Sequence, residues 1–458
     1  MATLDYLTRL ISFNTTSSDK AHFDRPNSEL IEYMAGHFRQ CAFTTLVYEV
    51  APGKLNLLAL SPSICSPSAS QCGGAGRPGG SAAEAGQDLG LLLSGHSDCV
   101  PFDDEKWTDS ALKLTVRDGR AYGRGACDMK GFLACSMEAA AAAHARYGDD
   151  FMSYPRLSCL ITCDEESSMN GAIDAMRLIR DDLNGQNFTN LKFSSASMSS
   201  LPADLLRGRH FDLIIIGEAT SMQAVIGHKG YMARDLMIKG VSAHSSNPAL
   251  GINAINIASH AITALNGLAQ ELQVIGADSN FKVGYPSMNM GYMNGGHSIN
   301  SICDEAHIGF DIRPTPKLSE AVIIQKLDEV LAGVNAKANE LYAHQLTTER
   351  VRKRLGLDAA RTESETVQLL TLTLPFADIP SFANTNENSL GYIKKHVPAD
   401  TVFEYVNYCT EASFLQHLGP TVVMGPGSID QAHGIDEYIE LSQLHLCDDF
   451  LAAIAAEF

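Results

Sequence analysis

Three short apolar runs that alternate with helical patterns constrain this chain more than any other feature. The runs LGLLLSGHSD, LSCLITCDEE and FDLIIIGEAT have the length of strands, and GFLACSMEAAAAAHARYG and GAIDAMRLIR between them have helical patterns. A strand that is apolar at nearly every position must be covered on both faces, as strands are in a parallel sheet packed between helices. The sequence therefore predicts an α/β fold with a mixed, mainly parallel sheet and helices on both faces.

The pattern changes after Gly227 and predicts a second domain inserted into the first. Strand-like YMARDLMIKG, SMNMGYMNGG and EAHIGFDIRP accompany two long helical patterns, GINAINIASHAITALNGLAQEL and LSEAVIIQKLDEVLAGVNAKANELY. Two helices on a sheet of hairpin-like strands are typical of a separate α+β domain, which we place at residues 229–378. Strand and helix patterns then resume, so residues 1–228 and 379–458 are predicted to form two parts of one domain.

Three stretches interrupt these patterns and are interpreted as insertions. Residues 61–88 are rich in Ser, Gly, Ala and Pro, which leaves little to bury, so a flexible surface insertion is expected there. The residues on either side of it, 40–60 and 89–100, are predicted to be strands. A polar stretch at 183–203 and a charged segment at 345–365 lengthen the chain further.

Charge and cysteine usage exclude several classes of protein. The chain has 34 Lys and Arg against 53 Asp and Glu, a net charge of −19, which repels nucleic acid and acidic lipid. Its apolar runs fall short of the roughly 18 residues that a membrane helix needs. The eleven cysteines are scattered without a Cys-x-x-Cys pair, and the first residues lack the pattern of a secretory signal. These features favour a reduced, cytoplasmic protein.

Carboxylates and imidazoles follow the predicted strands of the first domain. The Gly-rich turn GRGACDMKG contains a further carboxylate. The residues in these positions are His96, Asp98, Asp128, Glu165, Glu166, Glu218 and His433. Any one of them could be a helix cap or a solvated turn residue, since Asp and Glu favour helix N-termini. Taken together they are more informative, because ligands bind where the carboxyl ends of parallel strands meet. The sequence therefore predicts that they form one cluster.

A cluster of two imidazoles and several carboxylates needs cations, because its negative charges otherwise repel one another. Nitrogen and oxygen ligands without thiolate favour Zn²⁺, Co²⁺ or Mn²⁺, and one carboxylate can bridge two ions about 3.5–4 Å apart. Asp98 can accept the N–H of the His96 ring and so orient it. Glu165 and Glu166 diverge in an extended segment, so one can bind metal while the other acts as general base.

Cysteines beside these positions leave a second mechanism open. Cys99, Cys127 and Cys163 could serve an amidase that uses a nucleophilic cysteine activated by a histidine. The sequence favours the metal cluster, because no His/Asn companion motif stands out and buried cysteine is a common small apolar filler. The run GRGACDMKG also lacks the spacing and the Lys-Ser/Thr pair of a phosphate-binding loop.

Seven runs of the sequence, taken in order, resemble one known family. They are SGHSDCVPFDDEKWT, YGRGACDMKGF, CDEESSMNGA, IIGEATS, KGVSAHSSNPALGINAI, GFDIRPTP and MGPGSIDQAHGIDEYIE. In this order and spacing they are similar to the dinuclear-zinc aminoacylase/carboxypeptidase superfamily, and the resemblance covers nearly the whole chain apart from the insertions. It implies a zinc-peptidase-like fold for the first domain and a lid and dimerisation role for the inserted one.

The resemblance implies how the predicted cluster binds metal. Asp128 would bridge two Zn²⁺ ions, for which Co²⁺ or Mn²⁺ can substitute. His96 and Glu218 would complete the ligands of one ion. Glu166 and His433 would complete those of the other ion.

The resemblance also implies which residues move protons and hold the oxyanion. Glu165 would act as general base and then as general acid, and Asp98 would orient His96. His244 in VSAHSS matches the histidine that reaches the active site of the opposite subunit and stabilises the oxyanion. That match implies a homodimer formed through the inserted domain. From the sequence alone, His244 could equally be a polar surface residue.

Four residues match positions that bind or line the substrate in the superfamily: Asn300, Arg313, Thr410 and Gly425. Arg313 suits a carboxylate, although an arginine at a strand end before proline can equally form a structural ion pair. Within the superfamily, VPFDDEKWT and VNYCTEASF are most similar to members that hydrolyse N²-acetyl-L-ornithine to L-ornithine and acetate in arginine biosynthesis. The alternatives are succinyl-diaminopimelate desuccinylase, dipeptidase or other aminoacylase activity and, more remotely, an inactive binding protein of the same fold.

Overall fold

The computed structural model describes residues 2–65, 88–183, 209–357 and 366–458. Within these residues the chain forms two compact units. The first contains Met1–Gly227, Ala383–Glu404 and Thr410–Phe458. The second contains His228–Phe382 and Tyr405–Cys409.

Helices and strands alternate along much of the described chain. The helices are α1 (Ala2–Ile11), α2 (Ser28–Gln40), α3 (Pro62–Cys65), α4 (Gly131–Tyr147), α5 (Asn170–Leu183), α6 (Ala254–Ile275), α7 (Glu320–Leu341), α8 (Ala343–Thr347), α9 (Glu349–Leu355), α10 (Glu387–His396), α11 (Ala412–Leu415) and α12 (Leu441–Ala455). The strands are β1 (Thr44–Ala51), β2 (Lys54–Leu60), β3 (Leu91–His96), β4 (Thr115–Arg117), β5 (Arg120–Tyr122), β6 (Leu157–Thr162), β7 (Leu213–Ala219), β8 (Ala224–His228), β9 (Met232–Lys239), β10 (Ser287–Gly295), β11 (Glu305–Arg313), β12 (Leu370–Thr373), β13 (Phe382–Ala383), β14 (Phe403–Val406), β15 (Thr421–Gly425) and β16 (Tyr438–Glu440).

A nine-stranded sheet among the described residues forms the centre of the first unit. Its order is β1-β2-β6-β3-β7-β15-β8-β13, and β14 pairs with β8. The neighbours β6, β3, β7 and β15 run parallel, so that Leu93 lies beside Cys159 on one side and Ile215 on the other. β1 and β2 extend the sheet in antiparallel pairing. The prediction of a mixed, mainly parallel sheet is confirmed.

The central strands are buried on both faces, as their apolar runs predict. The side chains of Leu93 and Ile215 belong to the core that also contains residues of α1, α2, α4 and α12. The intervening Leu92 and Ile214 are equally buried but lie outside that core. Since alternate side chains of a strand point to opposite faces, the sheet has a second covered face, and α5 contacts β1, β2 and β6.

The region 40–60, which is predicted as strand, contains the end of a helix and two strands. α2 continues to Gln40, and β1 and β2 then form a hairpin. Gly53 in its turn has a φ of +76°, a left-handed conformation that glycine adopts without steric cost. The hairpin places its buried face against α2.

The second unit has a core of its own, built on an antiparallel sheet in the order β10-β11-β9-β12. Leu236 of β9 and Ile308 of β11 pack with Leu265 of α6 and Leu327 of α7 in this core. α6 begins where the Asn253 side chain accepts the N–H groups of the first helical turn, which caps the helix. This arrangement of two helices on a sheet is the predicted α+β architecture.

The short segment Tyr405–Cys409 belongs to a different unit from the one that the domain prediction assigns. The sequence assigns it to the second part of the catalytic domain, at 379–458, whereas it clusters with the second unit. The Tyr405 ring packs edge-on against Phe281, with 5.1 Å between the ring centroids. This aromatic contact joins residues that are far apart in the chain, so local sequence patterns do not reveal it.

The predicted insertions lie largely outside the described residues. Pro62–Cys65 forms the helix α3, whereas residues 66–87 and 184–203 are outside the description. In the charged segment at 345–365, Glu349–Leu355 forms α9. Within the described parts of the chain, no helix combines the length and the apolar character that crossing a bilayer requires.

Candidate metal centre

Strand ends of the first unit bring most of the predicted cluster together. β3 ends at His96, β6 leads into Glu165 and Glu166, and β7 contains Glu218. Because β3, β6 and β7 are parallel neighbours, these residues lie at the same edge of the sheet.

Two turns supply the other members of the cluster. Asp128 lies in the turn Ala126–Lys130 that precedes α4, where its φ of −124° and ψ of 94° are extended. His433 lies in the loop after β15 and has a φ of +63°. A left-handed φ is uncommon for a residue other than glycine and persists only where the surrounding structure imposes it.

The first group of potential ligands is His96, Asp128 and Glu218, all of them buried. The Nε2 atom of His96 lies 3.1 Å from Asp128 Oδ1 and 3.7 Å from Glu218 Oε1. Ligand atoms from all three residues lie within 4.8 Å of one another, which is close enough to surround one cation.

The second group is Asp128, Glu166 and His433. His433 Nε2 lies 3.3 Å from Asp128 Oδ2 and 3.1 Å from Glu166 Oε1. Asp128 thus directs one oxygen to each group, as a bridging carboxylate does between two ions. His433 is exposed, so the second group faces solvent while the first is enclosed.

Glu218, Glu166 and His433 are shifted toward holding protons. At Asp128 the effect of burial is instead outweighed by hydrogen bonds from His433 and His96, which lower the pKa of its carboxyl. Burial raises the pKa of Glu218 well above its usual range, and the negative charge of Asp128 raises it further. Burial also raises the pKa of Glu166. Hydrogen bonds to Asp128 and Glu166 raise the pKa of His433 to about 10. Carboxylates that resist ionisation beside imidazoles that retain a proton mark a place where positive charge is favoured.

Divalent cations fit this place by charge and by donor type. Glu218 Oε1 is buried and has no hydrogen-bond partner among the described residues, and such an oxygen is suited to binding a cation. The donors are imidazole nitrogens and carboxylate oxygens, which suit Zn²⁺, Co²⁺ and Mn²⁺. The two groups are therefore candidate sites for a pair of divalent ions.

Asp98 contacts the cluster in a different way from the predicted one. The His96 Nδ1–H donates to the main-chain oxygen of Asp98 at 3.0 Å. The carboxylate oxygen Oδ1 of Asp98 is farther away, at 3.6 Å from His96 Nδ1. The Asp98 carboxylate instead accepts the main-chain N–H groups of Glu165, at 3.2 Å, and Glu166, at 3.1 Å. Residue 98 thus leaves His96 Nε2 for a metal and also holds the loop that carries both glutamates.

Glu165, the predicted proton carrier, has a raised pKa. Burial raises its pKa well above the usual carboxyl range, and the charges of Glu218 and Glu166 raise it further. A raised pKa makes the carboxylate form a stronger base, which favours the uptake of a proton during a reaction.

Sequence reasoning missed two buried carboxylates in the first unit, Glu411 and Glu437. The Thr162 hydroxyl donates to Glu411 Oε1, and burial raises the pKa of Glu411 to about 7. Glu437 accepts hydrogen bonds from main-chain N–H groups of the Asp128 turn. Neither residue follows an apolar strand run, so the strand-end pattern that identifies the ligand candidates does not identify these two.

Thr410 and Gly425 have local packing roles in the first unit. Thr410 Oγ1 accepts the N–H of Ala412 at 3.2 Å, at the start of α11. A Cβ atom on Gly425 would lie 2.2 Å from the main-chain oxygen of Gly217, so β15 approaches β7 closely only because residue 425 is glycine. Gly217 directly precedes Glu218, so Gly425 supports the strand that carries a candidate ligand.

The other predicted substrate residues and His244 belong to the second unit. His244 and Asn300 line one cavity of about 890 Å³ together with His297 and Arg350. Arg313 lies over the Tyr231 ring at 3.9 Å, and its Nε donates to Asp311 Oδ1 at 3.3 Å.

The cysteines beside the cluster are poor nucleophiles. Burial raises the pKa of Cys99 to about 11. It raises the pKa of Cys127 and Cys163 as well. Since the thiolate is the reactive form, these shifts oppose the alternative thiol mechanism.

Comparison with known proteins identifies the family. The model of peptidase family M20/M25/M40 matches residues 92–457. An acetylornithine deacetylase of Vibrio campbellii is 33% identical over 451 residues, which cover 98% of this chain and 96% of that protein.

Two solved structures share the fold at low sequence identity. A tripeptidase from Staphylococcus aureus superposes with a TM-score of 0.63 at 18% identity, covering 100% of this chain and 98% of that one. A dinuclear metal binding peptidase of the M20 family from Bacillus subtilis superposes with a TM-score of 0.57 at 13% identity, covering 99% and 97%.

These comparisons confirm the superfamily resemblance and the predicted class, a metal-dependent hydrolase. The family model covers most of the chain, and the sequence relative covers nearly all of it. The chain therefore belongs to peptidase family M20/M25/M40.

Proposed function

We propose that this protein is a metal-dependent amidohydrolase that cleaves N²-acetyl-L-ornithine to L-ornithine and acetate in arginine biosynthesis. The observation that carries the proposal is Asp128, whose two oxygens face separate groups of nitrogen and oxygen ligands. The acetylornithine deacetylase of Vibrio campbellii, which matches 98% of the chain, supports the choice of substrate. Buried thiols such as Cys99 and Cys127 fit a reducing, cytoplasmic compartment.

Zinc is the cation that we propose for both ligand groups, with Co²⁺ or Mn²⁺ as substitutes. His96 and Glu218 would hold one ion, and Glu166 and His433 the other. Asp128 would contact both. When bound, such a pair polarises the acyl carbonyl and lowers the pKa of a water ligand toward neutrality.

Glu165 moves the proton in the proposed reaction. Its carboxylate takes a proton from the attacking water, whose oxygen forms a bond to the acyl carbon. Glu165 then gives that proton to the α-nitrogen as the C–N bond breaks, which releases acetate and the amine. The raised pKa of Glu165 supports this role, because the carboxyl must hold the proton between the two steps.

His244 is proposed to stabilise the oxyanion from the opposite chain of a homodimer. The N–H of Ser246 donates to His244 Nδ1 at 3.2 Å, so the neutral ring carries its proton on Nε2. An Nε2–H group is a suitable donor to an oxyanion, and the His244 side chain is exposed. The edge strand β10 and its exposed Tyr292 support pairing of the second unit with another copy.

A mixed dimer tests this arrangement. A dimer with His244→Ala in one chain and Glu165→Gln in the other would contain one complete site, because the first chain keeps Glu165 and receives the partner's histidine. We expect purified, doubly tagged mixed dimers to turn over at about half the wild-type rate per dimer, since one of two equivalent sites is complete. Each single-variant homodimer should be nearly inactive.

The matched control pairs the double variant Glu165→Gln/His244→Ala with a wild-type chain. If His244 acts across the dimer, this pairing lacks any complete site and stays nearly inactive. Half-maximal activity in the control and none in the first mixture would show that His244 acts within its own chain. Monomeric protein with full activity would reject the dimer as well.

Asn300, Arg313, Thr410 and Gly425 are the residues that we propose contact or line the substrate. The planar guanidinium of Arg313 suits the α-carboxylate of an acylated amino acid. The negative net charge of −19 favours a substrate with a cationic side chain over an acidic one.

Comparison of substrates tests the proposed specificity. We expect kcat/KM for N²-acetyl-L-ornithine to exceed that for succinyl-diaminopimelate and for dipeptides by about 10²-fold or more, a difference that buried polar contacts can produce. N²-acetyl-L-norvaline is a matched control, because it lacks only the side-chain amine. A higher kcat/KM for succinyl-diaminopimelate or a dipeptide would replace the proposed substrate while keeping the chemistry.

A further inference from the structure

We propose that Glu437 and Arg124 are positioning residues that set the distance between Asp128 and His433, and that they thereby control binding of the ion at the second ligand group. This inference rests on the proposed metal-dependent function. We refer to the pair as the Glu437–Arg124 clamp.

Glu437 holds the turn that carries Asp128. Its Oε1 accepts the main-chain N–H groups of Cys127, at 2.9 Å, and Asp128, at 3.1 Å. Its Oε2 accepts the N–H of Gly125 at 3.1 Å. The side chain is 1% exposed, so water does not compete for these bonds. One carboxylate therefore accepts three main-chain N–H groups of the turn that carries the proposed bridging ligand.

Arg124 connects the same carboxylate to the segment that carries His433. Its Nη1 donates to Glu437 Oε2 at 2.7 Å. Its Nη2 donates to the main-chain oxygens of Gly434, at 3.2 Å, and His433, at 3.4 Å. Arg124 is 4% exposed, and its guanidinium lies 5.2 Å from the Trp107 ring centre. The planar fork of arginine reaches both segments at once.

The clamp acts on the second ligand group more than on the first. Asp128 and His433 are far apart in the sequence, and both come from turns rather than from the central sheet. His96 and Glu218 instead lie on β3 and β7, whose pairing is set by main-chain hydrogen bonds. Loosening the clamp should therefore displace the Asp128–His433 pair while His96 and Glu218 keep their positions.

Titration of metal-free protein with Co²⁺ tests the clamp. Calorimetry gives the number and affinity of the sites, and the visible absorption spectrum of Co²⁺ reports their geometry. We expect two equivalents for the wild type. In Glu437→Gln the weaker site should lose about 10–100-fold in affinity, as is usual when a residue that supports a metal ligand is changed, and its Co²⁺ spectrum should change. The tighter site should lose less affinity than the weaker one, because its ligands His96 and Glu218 lie on β3 and β7 and only its third ligand, Asp128, depends on the clamp.

Two further variants separate positioning from general stabilisation. Arg124→Lys keeps a positive charge beside Glu437 but cannot bond both segments, so it should weaken the same site. Glu440→Gln is the matched control, because the Glu440 side chain pairs with Arg120 at 2.8 Å on a neighbouring strand rather than with Arg124 or the Asp128 turn. It should leave both affinities unchanged.

The outcomes distinguish this inference from the proposed function. Wild-type protein that binds no Co²⁺ would reject the metal-dependent function itself. Two unaltered sites in Glu437→Gln, or an equal loss at both sites together with a lower Tm of the metal-free protein, would reject the clamp alone. Glu437→Gln preserves side-chain volume, so it tests the contact without leaving a cavity.

Discussion

Glu165→Gln should abolish nearly all turnover while the protein still binds two metal ions per chain. The variant keeps the shape of the side chain but cannot take a proton from water or return it to the leaving nitrogen. General acid–base groups typically contribute about 10²–10⁴-fold to the rate, so we expect kcat to fall by that factor. Steady-state kinetics and metal analysis of the same preparation measure both quantities.

Glu166→Gln is the control for this result, because it changes the adjacent glutamate. Glu166 belongs to the second ligand group, so its variant should lose metal as well as activity. The Glu165 variant would then lose activity alone, whereas the Glu166 variant would lose both metal and activity. Retained turnover in Glu165→Gln, or metal loss equal to that of Glu166→Gln, would contradict the assignment of Glu165 as the proton carrier.

Chelation should eliminate activity, and added Zn²⁺ or Co²⁺ should restore it. Removal of the ions takes away the groups that would polarise the acyl carbonyl and lower the pKa of the attacking water. Activity measured before chelation, after it and after addition of each metal tests this directly. An enzyme indifferent to chelators but inactivated by labelling of Cys99 or Cys127 would support the thiol mechanism instead.

The stability of the metal-free protein should depend on pH in a direction that the pKa shifts define. Burial raises the pKa values of Glu165, Glu166 and Glu218 above 4.5. These groups stabilise the fold fully at a pH below 4.5, and that stability is lost as the pH rises through their folded-state pKa values. His433 acts in the same direction between 6.5 and about 10. The Tm difference between metal-loaded and metal-free protein should therefore widen as the pH rises from 5 to 8 (about 3 pH units); a constant difference would contradict the shifts.

The fold was predictable where burial dictates sequence. Strands such as Leu91–His96 and Leu213–Ala219 are covered on both faces. Burial on both faces requires apolar residues at nearly every position, and the sequence shows such runs directly. The hairpin within 40–60 was not separated into two strands, although β2 is buried along its whole length like a central strand. Tyr405–Cys409 could not be assigned to the second unit, because its contact with Phe281 is remote in sequence.

The candidate site was predictable to the extent that its residues stand beside strand ends. His96, Glu166 and Glu218 follow that rule, and the structure places them in the two ligand groups. Their binding of metal stays a prediction. Asp98 shows the limit of the approach, because its proximity to His96 was foreseen but its carboxylate holds the N–H groups of the glutamate loop instead.

The sequence by itself determined the parallel α/β framework and the residue types that gather at its edge, because strand burial and strand-end position are local properties of the chain. Only the tertiary structure decided that Asp128 directs one oxygen to each ligand group and that Glu437 and Arg124 hold its turn beside His433. Those arrangements depend on the distances between segments that are remote in the chain, and no local pattern records such distances.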